Sequence, residues 1–524
     1  MIFRLLVLVA VLYAGIGSAL AERVVLHRGN AAEPDTLDPH KYTLAAEANI
    51  QRDLFLPLME YNAFSKPVAG AAERWSVSAD GRVWTFHLRA GLVWSDGVPV
   101  TAADFVAGMR RGIDPDTKAQ FANLAYFIKN AEAVNKAELP PEALGVRAPD
   151  PQTVEITLAF PTPLILDLLA TPILFPVPRH AVERFGDDWV KPGHMVSNGA
   201  FVLAEWSPND HVRLTKNPLF FEADKVMIDE VIFYPIEDEG AAFKRFRSGE
   251  LDLQERFPPT QRAWIEAHMP GVLKNQPSLW LNYLVINQTL PKFKDARVRE
   301  ALSLAIDRRL ITDKLLRNGE TPAYRLMPPP VEGYESPEFP YAAEPMPQRI
   351  DAAKDLLAAA GYGPGSPLRF TFRHRSGDLN KRVAVALQGM WRAIGVECEL
   401  VTGDLKTHYN LLREQSFEVS DAGWSFTAPD PYYITYLLLT DSVETNYGKW
   451  SNGEFDRIAK EAEATLDVPT RFALFAKAEQ IAMADHALIP LFFPASRNIV
   501  QTWVKGYESN APDVHSSRWM RIEK

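Results

Sequence analysis

One short segment, residues 421–431, holds residue types that could recognise a ligand; it reads DAGWSFTAPDP. Its glycine allows another backbone to come close, and Trp424 offers a flat apolar wall. Its two carboxylates, Asp421 and Asp430, could serve a hydrolase, although nothing around them favours that chemistry. A second interpretation is that the segment is a plain strand-to-loop junction in which Trp424 fills core. Spacing alone does not separate the two.

Known catalytic signatures are missing from the sequence. It holds no HExxH zinc motif, no paired CxxC, no glycine-rich phosphate loop and no GxSxG nucleophile turn. The histidines are scattered, and the only basic knot, Arg373-His374-Arg375, is interpreted as a solvated loop. We therefore expect a protein that is not an enzyme and that carries no metal and no cofactor.

The elements before residues 421–431 predict how that segment is positioned. Alternating and helical spacings follow the order β-α-β-α-β, with strands at 368–372, 396–401 and 417–420 and helices at 379–394 and 405–415. This order predicts parallel strands joined by right-handed crossovers. Such sheets bind ligands beyond the carboxyl ends of their strands. We therefore expect the third strand to end at Ser420 and residues 421–431 to form a ligand-facing loop.

The N-terminus has the composition of a signal peptide. Arg4 precedes an apolar run over residues 5–16, and Ala19-Leu20-Ala21 has the small-x-small pattern that signal peptidase cleaves. The apolar run is shorter than the about 20 residues that a transmembrane helix needs. We predict cleavage after Ala21, which removes residues 1–21 and exports the mature protein to a Gram-negative periplasm.

Composition and charge narrow the function classes. The chain has 524 residues, of which 47% are hydrophobic and 23% are charged, so two or more domains are expected. The net charge is −10 and no basic cluster builds up, which argues against nucleic acid and anionic membranes as partners. The only cysteine, Cys398, is interpreted as a small core residue. Since no cysteine lies near the cleavage site, we expect no lipid anchor and no stable membrane insertion.

Residues 73–105 form a second informative segment. Asp80-Gly81 and Asp96-Gly97 are turn dipeptides, and Thr101 is placed to cap a helix. This segment resembles the signature region of the family 5 extracellular solute-binding proteins, the periplasmic receptors of peptide ABC importers. The resemblance covers essentially the whole mature chain and is strongest for the oligopeptide-binding branch, which includes a receptor for murein tripeptide. It continues through residues 35–40, 197–201 (SNGAF), 246–252 (FRSGELD), 293–305 (FKDARVREALSLA) and 358–362 (AAAGY).

The resemblance implies an α/β architecture of two lobes, the periplasmic-binding-protein fold. Mixed sheets are flanked by helices, a hinge joins the lobes, and an extra subdomain is inserted in the first lobe. The implied boundaries are 22–56, 180–216 and 496–524 for lobe I, 57–179 for the inserted subdomain and 217–495 for lobe II. A monomeric receptor of this kind closes on its ligand and delivers it to an inner-membrane ABC permease powered by a separate ATPase.

The resemblance also implies how one end of the ligand is held. In the oligopeptide-binding branch an extended peptide pairs its backbone with the loop that matches residues 422–425. The two acids that hold the free α-amine in that branch correspond here to Thr427 and Thr43. A buried ammonium without its partner costs about 3–5 kcal/mol. A ligand with a free amine is therefore expected to bind poorly unless Asp421 or Asp430 substitutes.

The residues that hold the ligand's carboxylate in the family have changed as well. The arginine before Ala-Gly-Trp corresponds to Asp421, the lysine for longer peptides to Leu316 and the histidine to Asn380. Arg317 and Arg413 are cations that could replace them.

Our hypothesis is a peptide-like ligand with its amine blocked or absent, such as a sugar-linked murein peptide. The alternatives are an ordinary oligopeptide held by other anchors, a non-peptide solute such as a metal chelate, haem or opine, or a periplasmic hydrolase or chaperone. Trp280, Tyr283 and Trp424 could offer stacking faces to a sugar ring. Two further positions depart from the family pattern. Trp280 and Ser425 stand where enteric relatives have a cysteine pair, and Phe121 stands where a tyrosine is usual. The candidate ligand-binding residues are Thr43, Ala45, Phe121, Trp280, Tyr283, Asn380, Arg413, Asp421, Gly423, Trp424, Ser425 and Thr427.

Overall fold

The computed structural model of the chain describes residues 23–329, 331–426, 428–442 and 445–524. The predicted signal peptide and the candidate residue Thr427 lie outside these residues. The described strands are β1 (Val25–Gly29), β2 (Met59–Tyr61), β3 (Pro67–Ala69), β4 (Ala72–Val77), β5 (Val83–Leu88), β6 (Val146–Asp150), β7 (Thr153–Thr157), β8 (Phe201–Ser207), β9 (His211–Lys216), β10 (Glu230–Tyr234), β11 (Leu253–Glu255), β12 (Leu273–Lys274), β13 (Trp280–Ile286), β14 (Thr321–Pro322), β15 (Arg369–Arg375), β16 (Glu397–Gly403), β17 (Val419–Ser425), β18 (Ile489–Phe493), β19 (Asn498–Val500), β20 (Val504–Lys505) and β21 (Arg521–Ile522).

The α-helices lie between these strands and cover their faces. In chain order they are α1 (Ala45–Leu54), α2 (Ala102–Ile113), α3 (Ala131–Asn135), α4 (Ile165–Leu168), α5 (Arg179–Phe185), α6 (Glu239–Arg247), α7 (Arg262–His268), α8 (Ala296–Leu304), α9 (Met346–Ala359), α10 (Asp378–Arg392), α11 (Leu405–Arg413), α12 (Tyr432–Leu438), α13 (Gly453–Glu463) and α14 (Val468–Ala484). A π-helix, Leu310–Leu316, precedes β14.

The first lobe is built on a seven-stranded sheet with the order β12-β19-β11-β1-β10-β9-β8. Strand β1 lies at its centre and pairs in parallel with β10 and β11. Because β10, β11 and β12 belong to this sheet, the first lobe extends to Lys274. This corrects the expectation that lobe II begins at residue 217. The three strands are separated from β1 by the whole inserted subdomain, so no local sequence signal reveals their pairing.

The inserted subdomain carries a separate antiparallel sheet with the order β4-β5-β7-β6. The turn predicted at Asp80-Gly81 joins β4 to β5, and Gly81 has a φ of 70°, which explains the glycine. The helix predicted to begin after Thr101 is α2. The N–H of Thr101 donates to the carboxylate of Asp104 at 2.8 Å, which satisfies the start of that helix.

The second lobe is built on a six-stranded sheet with the order β14-β18-β13-β17-β15-β16. Strand β15 pairs in parallel with β16 and with β17, and α10 and α11 connect them, which confirms the predicted β-α-β-α-β unit. Strand β13 pairs antiparallel to β17, so the sheet is mixed. Trp391 of α10 packs edge-on against Phe370 and Phe372 of β15 and anchors this helix on the sheet.

Two chain segments cross between the lobes, and they pair with each other. One joins β12 to β13 and the other joins β18 to β19. The N–H of Ser278 donates to the carbonyl of Pro494 at 2.8 Å, and the N–H of Ser496 donates to the carbonyl of Gln276 at 2.9 Å. This narrow, hydrogen-bonded pair of segments is the hinge between the lobes.

The stretch after the π-helix is rich in proline and has little regular structure, and a buried carboxylate holds it. Glu479 of α14 accepts hydrogen bonds from the N–H groups of Leu326 (2.9 Å) and Met327 (3.2 Å) and from the hydroxyls of Tyr334 (2.5 Å) and Ser336 (2.7 Å). Only 1% of Glu479 is exposed. These bonds replace the secondary structure that the prolines prevent.

Replacing Glu479 with alanine should lower the free energy of unfolding by about 2–4 kcal/mol, because buried donors lose their acceptor. Urea denaturation measures the change. Glu461→Ala is the matched control, since Glu461 lies on the exposed face of α13 and pairs with Arg457 of the same helix. The control should cost about 0.5 kcal/mol or less. Equal costs for the two variants would contradict the structural role of Glu479.

Candidate functional site

The strand that was expected to end at Ser420 continues through the candidate segment. Strand β17 runs to Ser425, and β13 pairs with it along its whole length, from Ile286 opposite Val419 to Trp280 opposite Ser425. The expectation of a loop from residue 421 onward is therefore wrong. The tertiary pairing with β13 holds residues 421–425 in extended form, although glycine disfavours a strand.

The other edge of β17 is paired over only a short length. Strand β15 pairs with β17 at Val419 and Ser420 and then ends at Arg375. Among the residues that the structure describes, the backbone beyond Ser420 therefore pairs with a strand on one side only. Such an edge can pair with an added extended chain.

The hydrogen bonds around β17 tell which backbone groups face that open edge. The Phe426 N–H donates to the carbonyl of Leu279, at 2.9 Å, on the β13 side. Gly423 N–H instead donates to the Tyr409 hydroxyl at 3.1 Å, and the Asp421 carbonyl lies 2.9 Å from Nε2 of His408. Because backbone groups alternate along a strand, the Gly423 carbonyl and the Ser425 N–H also face the open edge.

Two tryptophans form walls beside this edge. The ring of Trp280 lies over Gly423, where a Cβ would be 2.5 Å from the ring. Trp424 donates from its indole N–H to the carbonyl of Tyr433 at 3.0 Å and stacks with Tyr436 of α12, with ring centroids 6.2 Å apart. Both tryptophans are half-buried, so each keeps an accessible apolar surface.

Asp421 is neutralised within the protein. Its carboxylate accepts from Nε of Arg375 at 2.9 Å and from the backbone N–H of Arg375 at 3.0 Å. The same guanidinium donates to the side-chain oxygen of Asn282 at 3.0 Å. Burial lowers the pKa of the neighbouring His408, so this imidazole is neutral at pH 7. The charges of Asp421 and Arg375 therefore balance one to one.

Asp430 also forms an ion pair within the protein. Both of its oxygens accept from the guanidinium of Arg471, at 2.5 and 2.8 Å, and both side chains are buried. This bidentate geometry leaves no oxygen directed at a ligand. Neither carboxylate of the segment is free to receive an ammonium group.

Four of the other candidate residues differ in exposure and packing. Thr43 and Ala45 are exposed at the start of α1, and Phe121 packs against Tyr42 with ring centroids 4.8 Å apart. Tyr283 is 2% exposed and lies opposite Ala422. Burial raises its pKa well above the usual range, which fits a core residue more than a stacking surface.

The polar candidates Asn380 and Arg413 lie at opposite ends of the sheet, because Asn380 follows the end of β15 and Arg413 precedes the start of β17. Asn380, in the first turn of α10, donates to the carbonyl of Ser376 at 2.9 Å and lines a small cavity beside Asp421. Arg413 is the last residue of α11, which returns from the carboxyl end of β16 to the start of β17. It is exposed and contacts Asn410, so the structure does not bring it to the edge at Gly423.

Sequence reasoning missed Arg375 and Tyr409. The knot Arg373-His374-Arg375, interpreted as a solvated loop, is instead the end of β15, and His374 is 6% exposed. The signal was available, because the alternation that begins at residue 368 continues through these residues. Tyr409 carried no such signal, since its role depends on a hydroxyl that reaches another element.

The end of this edge lies where the second lobe approaches the first, and we call this boundary the cleft. Tyr61 of β2 donates from its hydroxyl to the carbonyl of Asp167 in α4 at 3.2 Å, on the side of the first lobe. From the second lobe, Tyr433, which accepts from the indole of Trp424, is close enough to act on Tyr61, and Asp430 is close enough to act on Asp167. Burial and the charge of Asp430 raise the pKa of Asp167 to about 7.

Within the described ranges, no group of three or more His, Cys, Asp or Glu side chains is placed to hold a metal ion. No helix in the same ranges has the length and apolar character needed to cross a membrane. The chain thus has two lobes, a paired hinge and a cleft with an open strand edge. Two lobes joined by paired crossing segments, with an open strand edge between them, are the architecture of a solute-binding protein.

Known proteins give the same class. Residues 66–446 match the bacterial extracellular solute-binding proteins, family 5 Middle. The chain is 36% identical to the periplasmic oligopeptide-binding protein OppA of Escherichia coli, covering 97% of this chain and 94% of that protein. It is 37% identical to the "Probable deoxycholate-binding periplasmic protein YgiS" of the same bacterium, covering 97% and 95%.

A solved structure agrees over the whole described fold. The unliganded open form of the periplasmic murein tripeptide-binding protein MppA has a TM-score of 0.88 and 35% identity, covering 96% of this chain and 98% of that chain. The chain belongs to family 5 of the bacterial extracellular solute-binding proteins.

A methyl group at residue 423 tests the contact between β17 and Trp280. Gly423→Ala should displace the Trp280 ring, lower the free energy of unfolding by about 1–3 kcal/mol and shift the tryptophan emission. In a Trp280→Phe background the emission shift should disappear. Gly389→Ala, on the exposed face of α10 with no atom within 4 Å, is the control and should be neutral or stabilising. The contact is contradicted if both alanines have the same effect.

The pH dependence of stability tests the environment of Asp167. Its folded pKa of about 7 exceeds its ordinary value of 3.8, so the folded state favours the protonated form and loses stability as pH rises through that range. Asp167→Asn should raise the free energy of unfolding at pH 8 by about 1–3 kcal/mol, and the gain should shrink towards pH 5. Urea denaturation at both pH values measures it. The control Asp187→Asn, at an exposed site, should change the free energy of unfolding by the same small amount at pH 5 and pH 8. If Asp167→Asn gives the same gain at both pH values, the raised pKa of Asp167 is refuted.

Proposed function

We propose that this protein is the periplasmic receptor of an ABC importer and that it holds a peptide-like ligand in extended form along the open edge of β17. The edge of β17 at residues 423–425 that lies opposite β13, and that β15 does not reach, carries this proposal. An added strand would pair with the Gly423 carbonyl and the Ser425 N–H, and its side chains would contact Trp280 and Trp424. The names of OppA and MppA, which specify peptides, support the same ligand class.

The proposal includes a ligand whose amine is blocked or absent, such as an N-acylated or sugar-linked murein peptide. Thr427 and Thr43 stand where the family resemblance places the acids for a free amine. The two nearby carboxylates, Asp421 and Asp430, are each engaged by an arginine. A free ammonium buried here would lack a partner, which costs about 3–5 kcal/mol.

Export and delivery belong to the same proposal. The apolar run before Ala21 supports cleavage of residues 1–21 and release into the periplasm. We place a monomer there that closes about its hinge and passes its ligand to an inner-membrane permease and its ATPase. The relatives OppA and YgiS are both named as periplasmic proteins.

A second candidate is an amphipathic non-peptide solute. The relative named for deoxycholate is as similar to this chain as the peptide-binding relatives. Aromatic walls beside internally neutralised charges also suit a rigid apolar ring system. In this case the open edge of β17 would contribute few hydrogen bonds.

Isothermal titration calorimetry with the mature protein tests the proposal. The probes are a tripeptide with a free amine, its N-acetylated form, its N-muramyl form, and deoxycholate. The blocked peptides should bind about 100-fold more tightly than the free one, because no acid compensates the ammonium. Tighter binding of the free-amine peptide would refute the blocked amine, and binding of deoxycholate alone would favour the second candidate.

One substitution sharpens this test. Thr427→Asp returns an acid to the position that the family uses for the amine and should shift the preference towards the free-amine peptide. Thr502→Asp, at an exposed position in the first lobe, is the matched control and should leave the preference unchanged.

A further inference from the structure

The open edge of β17 is bounded at one end by a charged residue. Arg373 pairs with Ser420, and β15 ends two residues later, at Arg375. A strand added along residues 423–425 would lie on the same side of β17 as β15 and would begin where β15 ends. One end of that ligand must therefore abut Arg375.

Arg375 is the cation that a ligand carboxylate would be expected to find there, but the protein has already engaged it. Its guanidinium donates to Asp421 at 2.9 Å and to Asn282 at 3.0 Å. The side chains of Arg375 and Asp421 are only 15% and 12% exposed. A carboxylate arriving at this point would have to displace Asp421 or lie close to its like charge, and both are unfavourable.

The titratable and charged groups around the ion pair are His408, whose Nε2 lies 3.3 Å from the Asp421 carboxylate, and Arg373 of β15, whose charge helps to lower the pKa of His408. His408 and Tyr409 of α11 are bonded to the backbone of β17. A small cavity beside the pair is lined by the amides of Asn282 and Asn380, by His374 and Tyr283, and by apolar side chains. Amides can donate to and accept from an uncharged polar group.

Resting on the proposed function, we propose that Asp421 is a specificity residue, which makes the end of the site at Arg375 select an uncharged ligand terminus over a free carboxylate. The favoured chemistry at this end is an amide, an ester or the continuing chain of a longer conjugate. Asp421 acts by holding Arg375 neutralised, so that its guanidinium does not attract an anion.

The experiment measures the ratio of affinities for a free acid and its amide. Calorimetry with N-acetyl-trialanine and N-acetyl-trialanine amide gives this ratio for the wild type, for Asp421→Asn and for the double variant Asp421→Asn with Arg375→Gln. The wild type should bind the amide at least as tightly as the acid. Asp421→Asn should shift the ratio about tenfold towards the acid, because the positive charge of Arg375 then lacks its partner and can pair with the ligand's carboxylate. The double variant should return the ratio to that of the wild type.

Two further measurements keep the result decisive. Asp421→Ser is a second release variant in case the asparagine variant does not fold. Trialanine and its amide, with free amines, repeat the comparison independently of the blocked-amine proposal. An unchanged ratio in both release variants, or a tenfold preference of the wild type for the acid, would overturn the role of Asp421. If neither peptide pair binds the wild type, the proposed function falls and the inference falls with it.

Discussion

The site depends on one geometric constraint, the parting of β15 from β17 after Ser420. Backbone polar groups must be satisfied wherever they are buried, and a strand inside a sheet normally satisfies them on both sides. Here β13 satisfies one side of β17, and Tyr409 and the imidazole of His408 meet the first exposed groups on the other. The groups further along the edge, at Gly423 and Ser425, face the cleft. The sheet thus offers a short template for one more strand at the place where the lobes meet.

The charges of the cleft are arranged to cancel within the protein. Asp421 with Arg375 and Asp430 with Arg471 are cross-element ion pairs, and each fixes one element against another. Because buried charges are costly without partners, such pairs are not readily broken by a ligand. Recognition then rests on backbone hydrogen bonds and on the faces of Trp280 and Trp424. This pattern suits ligands that are extended, apolar in part and without charged ends.

The sequence predicted the local elements well and the tertiary ones poorly. Alternation and helical spacing located β15, β16, β17 and their crossover helices, because these signals lie within one segment. The end of β17 was misplaced since the strand at Asp421 and Gly423 is held by β13, more than 130 residues earlier in the chain. The partner of Asp421 was missed for the same reason, as Arg375 lies 46 residues away. The lobe boundary expected at residue 217 was misplaced because β10, β11 and β12 join the sheet of β1 from the far side of the inserted subdomain.

The central claim is that the ligand adds a strand to the open edge of β17, and hydrogen exchange tests it most directly. Exchange of the Ser425 amide should be measured by NMR in the free protein and in the presence of saturating N-acetylated peptide. The account predicts that this amide becomes strongly protected on binding, while the amide of Trp424, on the β13 side, changes little. Binding that leaves the exchange of the Ser425 amide unchanged would contradict it.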